Sequence, residues 1–251
     1  MQKDIVSVVI PVHNAEKYIN DTVNSVLNQT YDAWELILVE NASDDSTVRI
    51  LEEIKKRDPR IRIMDLKDAV GAAAARNMGV SAATGRYIAF LDADDIWHPE
   101  KLEKEVAFIN EKEAAFVFTG YEFANEKAKP SGKIVKVPES LSHIQAMKNT
   151  TIFTSTVMFD TTRIDREKIR MPQIKSEDTA LWWNILREGY LAYGLNENLV
   201  LYRRPGKSLS SNKIEAIKRI WYLYRKWEKL NVFTSSWYFM NWAFRAVLRR
   251  I

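Results

Sequence analysis

The chain reads as an α/β protein, a mostly parallel central sheet flanked by helices, with an amphipathic helical appendage at its C-terminus. Three observations predict this. Short apolar, β-branched runs alternate with stretches of helical periodicity through most of the chain, a pattern that calls for a parallel sheet with right-handed crossovers. The run Tyr87 to Leu91 breaks off into Asp92, Asp94 and Asp95, as when an open sheet delivers functional groups to the crevice at the carboxyl ends of its strands. From Ile214 onward, aromatic and aliphatic residues recur at helical spacing among lysines and arginines.

Each element has its own signal. Ile5 to Val12 is almost continuously apolar, which fits a strand covered on both faces. Asn14 is placed to cap a helix running to about Asn28, with Tyr18, Ile19, Thr22, Val23, Val26 and Leu27 on its inner face. Trp34 to Val39 is the second strand, and the polar turn from Glu40 to Ser46 opens a helix carrying Val48, Ile50, Leu51 and Ile54. A third strand, Ile61 to Leu66, an alanine-rich helix, Val70 to Ala83, and the central strand follow. Beyond the acids come a helix over 101–112, a strand over 115–123, a Pro-Ser-Gly loop at 130–132 with a strand after it, a helix over 141–148 and a strand over 156–159. Ser176-Glu177-Asp178-Thr179 starts the last helix of the body, and 190–193 and 199–202 read as two closing strands. The expected division is a body of residues 1–205, with halves meeting near residue 98, and a tail of 206–251 entered through the loop Arg203 to Ser208.

Bulk composition narrows the function. The 251 residues contain no cysteine, which excludes a disulfide framework and a thiolate metal site. Met1-Gln2-Lys3-Asp4 leads directly into a strand, and no apolar run reaches spanning length, so a cytoplasmic location is expected. Net charge is +4, but residues 213–251 hold nine lysines and arginines against two glutamates, a local +7 that leaves −3 for the rest. Four of the eight tryptophans, 221, 227, 237 and 242, lie in that tail. Aromatic and basic without spanning length describes a helix lying at a membrane surface. Packing on the body, or on a second copy in a homodimer, explains the same stripe. Nucleic acid is not expected as a partner, because the arginines accompany a broad apolar stripe.

The acids admit more than one reading. Asp92 and Asp94, at i and i+2 beyond a strand end, point to one side and suit a hard divalent ion, Mn2+ or Mg2+, completed by substrate oxygens. Asp94 or Asp95 could equally cap the helix after Pro99. Glu177 and Asp178 could be an ordinary acidic helix N-terminus. His13 suits a packing or hydrogen-bonding role, and Trp182 and Trp183 are expected to divide between core and acceptor platform. Arg203 and Arg204 read either as a diphosphate clamp or as solvated loop charge. The glycine-rich phosphate loops G-x-G-x-x-G and G-x-x-x-x-G-K-[ST] are absent.

Taken together, Val6 to Tyr18, Ser25 to Tyr31, Trp34 to Val39, Ala75-Arg76-Asn77, the acidic central strand and Glu177 to Trp182 closely resemble glycosyltransferase family 2, over roughly the first 205 residues. The resemblance implies a Rossmann-like GT-A fold that transfers a sugar, with inversion, from a nucleoside diphosphate sugar, UDP-linked by preference. The acceptor it implies is a glycan, lipid-linked at the inner membrane face, in surface polysaccharide synthesis. Pro11, Val12 and Glu16 correspond to the nucleotide wall of the first loop, Glu40 to the acid that contacts the base, and Arg76 to the arginine near base or diphosphate. Asp92 and Ala93 fall at the donor side of the D-x-D pair, with Asp94 and Asp92 as metal ligands. Asp178, with Glu177 beside it, matches the general base. The chain departs from the family at Glu40-Asn41-Ala42, where an aspartate pair and glycine are common, and at Ala69, where asparagine is. The first departure motivates a second reading, a catalytically degenerate nucleotide-binding module. A nucleotidyltransferase would need a glycine-rich basic loop where Pro11-Val12-His13-Asn14 stands.

Overall fold

The computed structural model describes residues 4–148, 151–204 and 213–248. In chain order the elements are β1 (Val6–Val12), α1 (Ile19–Leu27), β2 (Trp34–Asn41), α2 (Thr47–Lys55), β3 (Ile61–Leu66), α3 (Ala72–Ala82), β4 (Tyr87–Phe90), β5 (Ile96–Trp97) and α4 (Lys101–Glu111). They continue with β6 (Phe116–Ala124), β7 (Pro130–Val135), β8 (Ser140–Leu141), α5 (His143–Met147), β9 (Val157–Asp160), α6 (Glu177–Arg187), β10 (Ala192–Arg203), α7 (Lys213–Tyr222) and α8 (Val232–Leu248).

One sheet runs through the molecule in the order β3-β2-β1-β4-β9-β6-β10-β5. Its first four strands are parallel, β9 is antiparallel to both β4 and β6, and β10 returns parallel to β6. Strand order reverses at β1, which lies between β2 and β4. A crevice therefore opens beyond the carboxyl ends of β1 and β4, where crossovers leave to opposite sides.

Alternation along β1 explains its unbroken apolar run. Val6, Val8 and Ile10 pack with α1, α2 and α4 on one face, while Val9 packs with α3 and α6 on the other. Helix α3 lies tight on that second face because Gly79 has no side chain: a Cβ there would stand 2.3 Å from a Val9 methyl carbon. This close approach sets the depth at which Arg76, one turn earlier, enters the crevice.

Several boundaries differ from the sequence reading for identifiable reasons. Helix α1 begins at Ile19, not beside Asn14, which adopts a left-handed φ of 49°. The Asn14 side chain accepts the Asp44 N–H and ties the β1 loop to the turn after β2. The two strands expected over 190–202 are one strand, β10, with register shifts around Asn198. The helical stripe of the tail is interrupted by a π-turn at Leu223–Trp227 and ends at Lys229, whose φ is 54°. Most of the boundary loop, residues 205–208, and Arg249 and Arg250 lie outside the described residues. Ile220, Leu223 and Tyr224 of the tail join the same core as α6, with Tyr224 stacked on Trp183 at 5.3 Å.

Candidate active site

Two clefts meet at one arginine. The first, about 480 Å3, occupies the crevice beyond β1 and β4 and is lined by Pro11 and Val12, by Ala93 and Asp94, and by Arg76 and Asp92. The second, about 440 Å3, shares Arg76 and Asp92 and runs on to Glu177 and Asp178 at the start of α6. Six of the donor-side residues singled out from the sequence thus face one cavity, and the acidic pair from far downstream faces the adjoining one.

Arg76 is buried and donates to Asp92 Oδ1 at 2.5 Å and to Glu177 Oε1 at 3.2 Å. Its Nε has no hydrogen-bond partner among the described residues. A single guanidinium therefore fixes the spacing of a carboxylate common to both clefts, Asp92, and one of the second cleft alone, Glu177. Glu177 is pushed above the ordinary glutamate range by burial and by the neighbouring Asp178 charge. Ser176, left-handed at φ 63°, turns the chain so that both acids fall in the first turn of α6. Asp178 accepts the Thr179 N–H at 2.6 Å and Thr154 Oγ1–H at 3.4 Å, two bonds that orient its carboxylate at the helix N-terminus.

On the donor side, Asp94 makes no ion pair among the described residues, and burial together with the Asp92 charge raises its carboxyl to about 6. No group of three or more acids or histidines forms a metal cage among those residues. The arrangement is an open pair, Asp92 and Asp94, of the kind that substrate phosphate oxygens and water complete around a hard cation.

Asp95, which the sequence reading left as a candidate cap, has a different task. It is fully buried, accepts Ser155 Oγ–H at 2.5 Å and the Arg203 N–H at 3.0 Å, and is held well above the ordinary aspartate range by burial, then by Asp94 and Asp92. Ser155 Oγ in turn accepts the Asp92 N–H at 3.0 Å. The pair fixes the backbone of Asp92 from behind. Trp97 supports it by donating to the Ser155 carbonyl at 2.8 Å.

Other expected contacts fall elsewhere. Glu40 spends its carboxylate on the N–H groups of Ala42 and Ser43, and Glu16 on that of Ser46. Both lie outside the lining of the two clefts and brace the turn between β2 and α2. His13 bonds through Nδ1 with the Asn41 carbonyl at 2.9 Å. Trp182 and Trp183 are both core residues; neither lines a cleft, because α6 turns that face onto Phe116, Phe159 and Tyr224. Arg203 is buried against Asp21 and the Tyr18 ring. The aromatic shelf of the second cleft is instead Tyr121, Phe123, Phe153 and Tyr202. Sequence reasoning missed it because the four come from β6, the 151–154 segment and β10. Only the alternation of aromatics along β6 hinted at it.

Fold and site together define a glycosyltransferase of the GT-A type. Solved structures of that architecture superpose over nearly the whole chain: TarS of Staphylococcus aureus, in complex with UDP-GlcNAc, at TM-score 0.70 and 20% identity, covering 96% of this chain and 72% of that one. A mannosyltransferase of Pyrobaculum calidifontis with GDP-Man and Mn2+ gives TM-score 0.72 at 17% identity, covering 97% and 74%. The chain belongs to glycosyl transferase family 2, whose model matches residues 7–168. Among curated relatives, a Bacillus subtilis protein provisionally named the teichuronic acid biosynthesis glycosyltransferase TuaG is 44% identical over 99% of this chain and 98% of its own length. An Escherichia coli UDP-Glc:α-D-GlcNAc-diphosphoundecaprenol β-1,3-glucosyltransferase, WfgD, is 36% identical over 88% and 85%.

Proposed function

We propose that the protein transfers a sugar, with inversion, from a UDP-sugar to a hydroxyl of a lipid-linked glycan acceptor in cell-surface polysaccharide synthesis. The observation that carries this reading is the junction at Arg76 and Asp92: a donor-sized cleft and an acceptor-sized cleft open on the same guanidinium–carboxylate pair, with Asp178 beyond it. The curated relatives' names supply the substrate class.

Pro11, Val12 and Ala93 wall the nucleotide, while Glu16 and Glu40 act on it through the turn they hold in shape. Asp92 and Asp94 suit Mn2+ or Mg2+, since Asp94 is half-buried beside the Asp92 charge and makes no ion pair among the described residues; when bound, such an ion would neutralise charge on the departing diphosphate. Asp178 accepts the proton of the acceptor hydroxyl as its oxygen bonds to the anomeric carbon, and the bond from that carbon to the nucleoside diphosphate breaks. A single displacement with base and leaving group in opposite clefts inverts the anomeric centre. Glu177 holds Arg76 and so positions Asp92.

No helix among the described residues is long and apolar enough to cross a membrane. Phe233, Trp237, Met240 and Phe244 nevertheless form one exposed ridge on α8, at successive offsets of four, three and four residues. With the basic residues of the tail, the ridge suits docking on the anionic cytoplasmic face of a membrane. A homodimer through the same ridge is the alternative occupant.

Transfer is tested with UDP-glucose and a synthetic GlcNAc-α-diphosphoryl alkyl acceptor, with Mn2+ and with EDTA. Asp178→Asn should reduce kcat by about a hundredfold or more, Asp94→Asn should behave as the wild type does in EDTA, and the product should be the opposite anomer of the donor. Unchanged turnover in both variants would remove the assignments. Metal-dependent UDP binding without product from any donor and acceptor would favour the degenerate module suggested by Glu40-Asn41-Ala42.

A further inference from the structure

The second cleft carries hydrogen-bond donors that the transfer step leaves unused. Arg204, exposed at the end of β10, stacks over Phe123 at 4.1 Å and makes no ion pair among the described residues. Arg219 of α7 lines the same cleft and has a buried Nε without a hydrogen-bond acceptor among the described residues. That Nε makes a long ion pair with Glu215 at 3.6 Å, an acid that Lys175 also holds at 2.8 Å. Trp242 of α8 presents a third donor, a buried indole N–H that also lacks an acceptor. Unmet buried donors are costly. Two guanidinium groups and an indole around one aromatic-floored cavity describe an anion site.

We infer that Arg204, Arg219 and Trp242 form a subsite for the diphosphate of the acceptor, so that the preferred acceptor class is a sugar carried on a long-chain alkyl or prenyl diphosphate. This rests on the transferase reading for the word acceptor, but the anion site stands on its own geometry. Acids and arginines both line the cleft, Asp92 and Glu177 held by Arg76 with Asp178 beside them, and Arg204 and Arg219 without such a bridge, with the shelf of Tyr121, Phe123, Phe153 and Tyr202 available to stack a sugar ring. An anion repelled by the acids and drawn to the arginines orients the sugar with its hydroxyl toward Asp178. Trp242 lies about half a turn of α8 around from the ridge of Phe233, Trp237 and Phe244.

The test is calorimetric titration of the full chain with farnesyl diphosphate in EDTA, with and without saturating UDP. Farnesyl diphosphate should bind in both conditions, and Arg204→Gln and Arg219→Gln should each weaken binding about tenfold or more. Trp242→Phe keeps the packing and should weaken it less, while farnesol, which lacks the anion, should not distinguish variants from wild type. No binding, binding in either arginine variant equal to that of the wild type, or competitive displacement by UDP would overturn the subsite, the last because the anion would then occupy the donor cleft. No turnover is read, so transfer without farnesyl diphosphate binding sinks the subsite alone, and binding without transfer sinks the transferase reading alone.

Discussion

Arg76 does at the residue scale what no carboxylate here could do alone. It bridges Asp92 and Glu177 from a buried position, one terminal nitrogen to each, and so sets the spacing between the two carboxylates. Arg76→Lys keeps the charge but offers a point donor where a planar pair is needed. The expected outcome is a loss of kcat of about tenfold or more, corresponding to at least one charged hydrogen bond, with the thermal midpoint little changed. Transfer rate and thermal unfolding measured on one preparation check both parts. Arg76, Asp92, Asp94 and Asp178 were singled out in the sequence through family resemblance, and the fold brings them to the two adjoining clefts. The Arg76 partner Glu177 was legible only as a neighbour of Asp178, since no spacing rule connects positions a hundred residues apart. Asp95 and Ser155 were not legible as a brace, because their roles depend on a contact between the chain beyond β4 and the turn before β9.

Helices α7 and α8 show the same limit at the scale of elements. The sequence put an apolar stripe in the tail and left open whether it covers the body or meets a membrane. It does the first with Ile220, Leu223 and Tyr224, while α8 leaves a second face uncovered, with Phe233 89% and Phe244 65% exposed. The periodicity of each helix is similar, and only packing says which stripe is already used. Liposomes containing phosphatidylserine should float the wild-type chain and fail to float Phe233→Ser/Trp237→Ser/Phe244→Ser. Sedimentation of both proteins without lipid separates membrane contact from dimerisation: a lighter species in the variant would point to a dimer through α8. Because the substituted side chains are exposed, the thermal midpoint should stay within a few degrees.

Across the whole molecule, Arg86 and Asp160 fasten the middle of the sheet. Arg86 donates to Asp160 at 2.6 Å and reaches Asp4 and Asn110, joining the segment before β1, helix α4 and the end of β9. Burial alone would raise the Asp160 carboxyl, but Arg86 and Thr162 hold it below the ordinary aspartate value of 3.8. Because the folded value is depressed, the stabilisation is full above 3.8 and is lost as pH falls below it. Arg86→Met leaves a fully buried carboxylate with only the longer Arg163 contact at 3.7 Å and its Thr162 hydrogen bonds, at about 3 kcal/mol in stability, and moves the Asp160 carboxyl upward. Its acid unfolding midpoint should move to higher pH, as read by circular dichroism from pH 7 downward. A midpoint equal to that of the wild type would mean that Asp160 carries no part of the acid limb.

The sequence by itself determined the alternation of strands and helices, the burial of both faces of β1, the acid cluster at the end of β4 and membership of a transferase family. Those features are local, written in periodicity and in short motifs that a single segment carries whole. Only the tertiary structure decided that β9 runs antiparallel between β4 and β6, that two clefts share Arg76, and that the tail roofs the second of them. It also made Trp182 and Trp183 core residues and moved the aromatic shelf to strands far apart in the chain. Such contacts are settled by which surfaces bury each other once the sheet has closed, and neighbours in sequence carry no record of that choice.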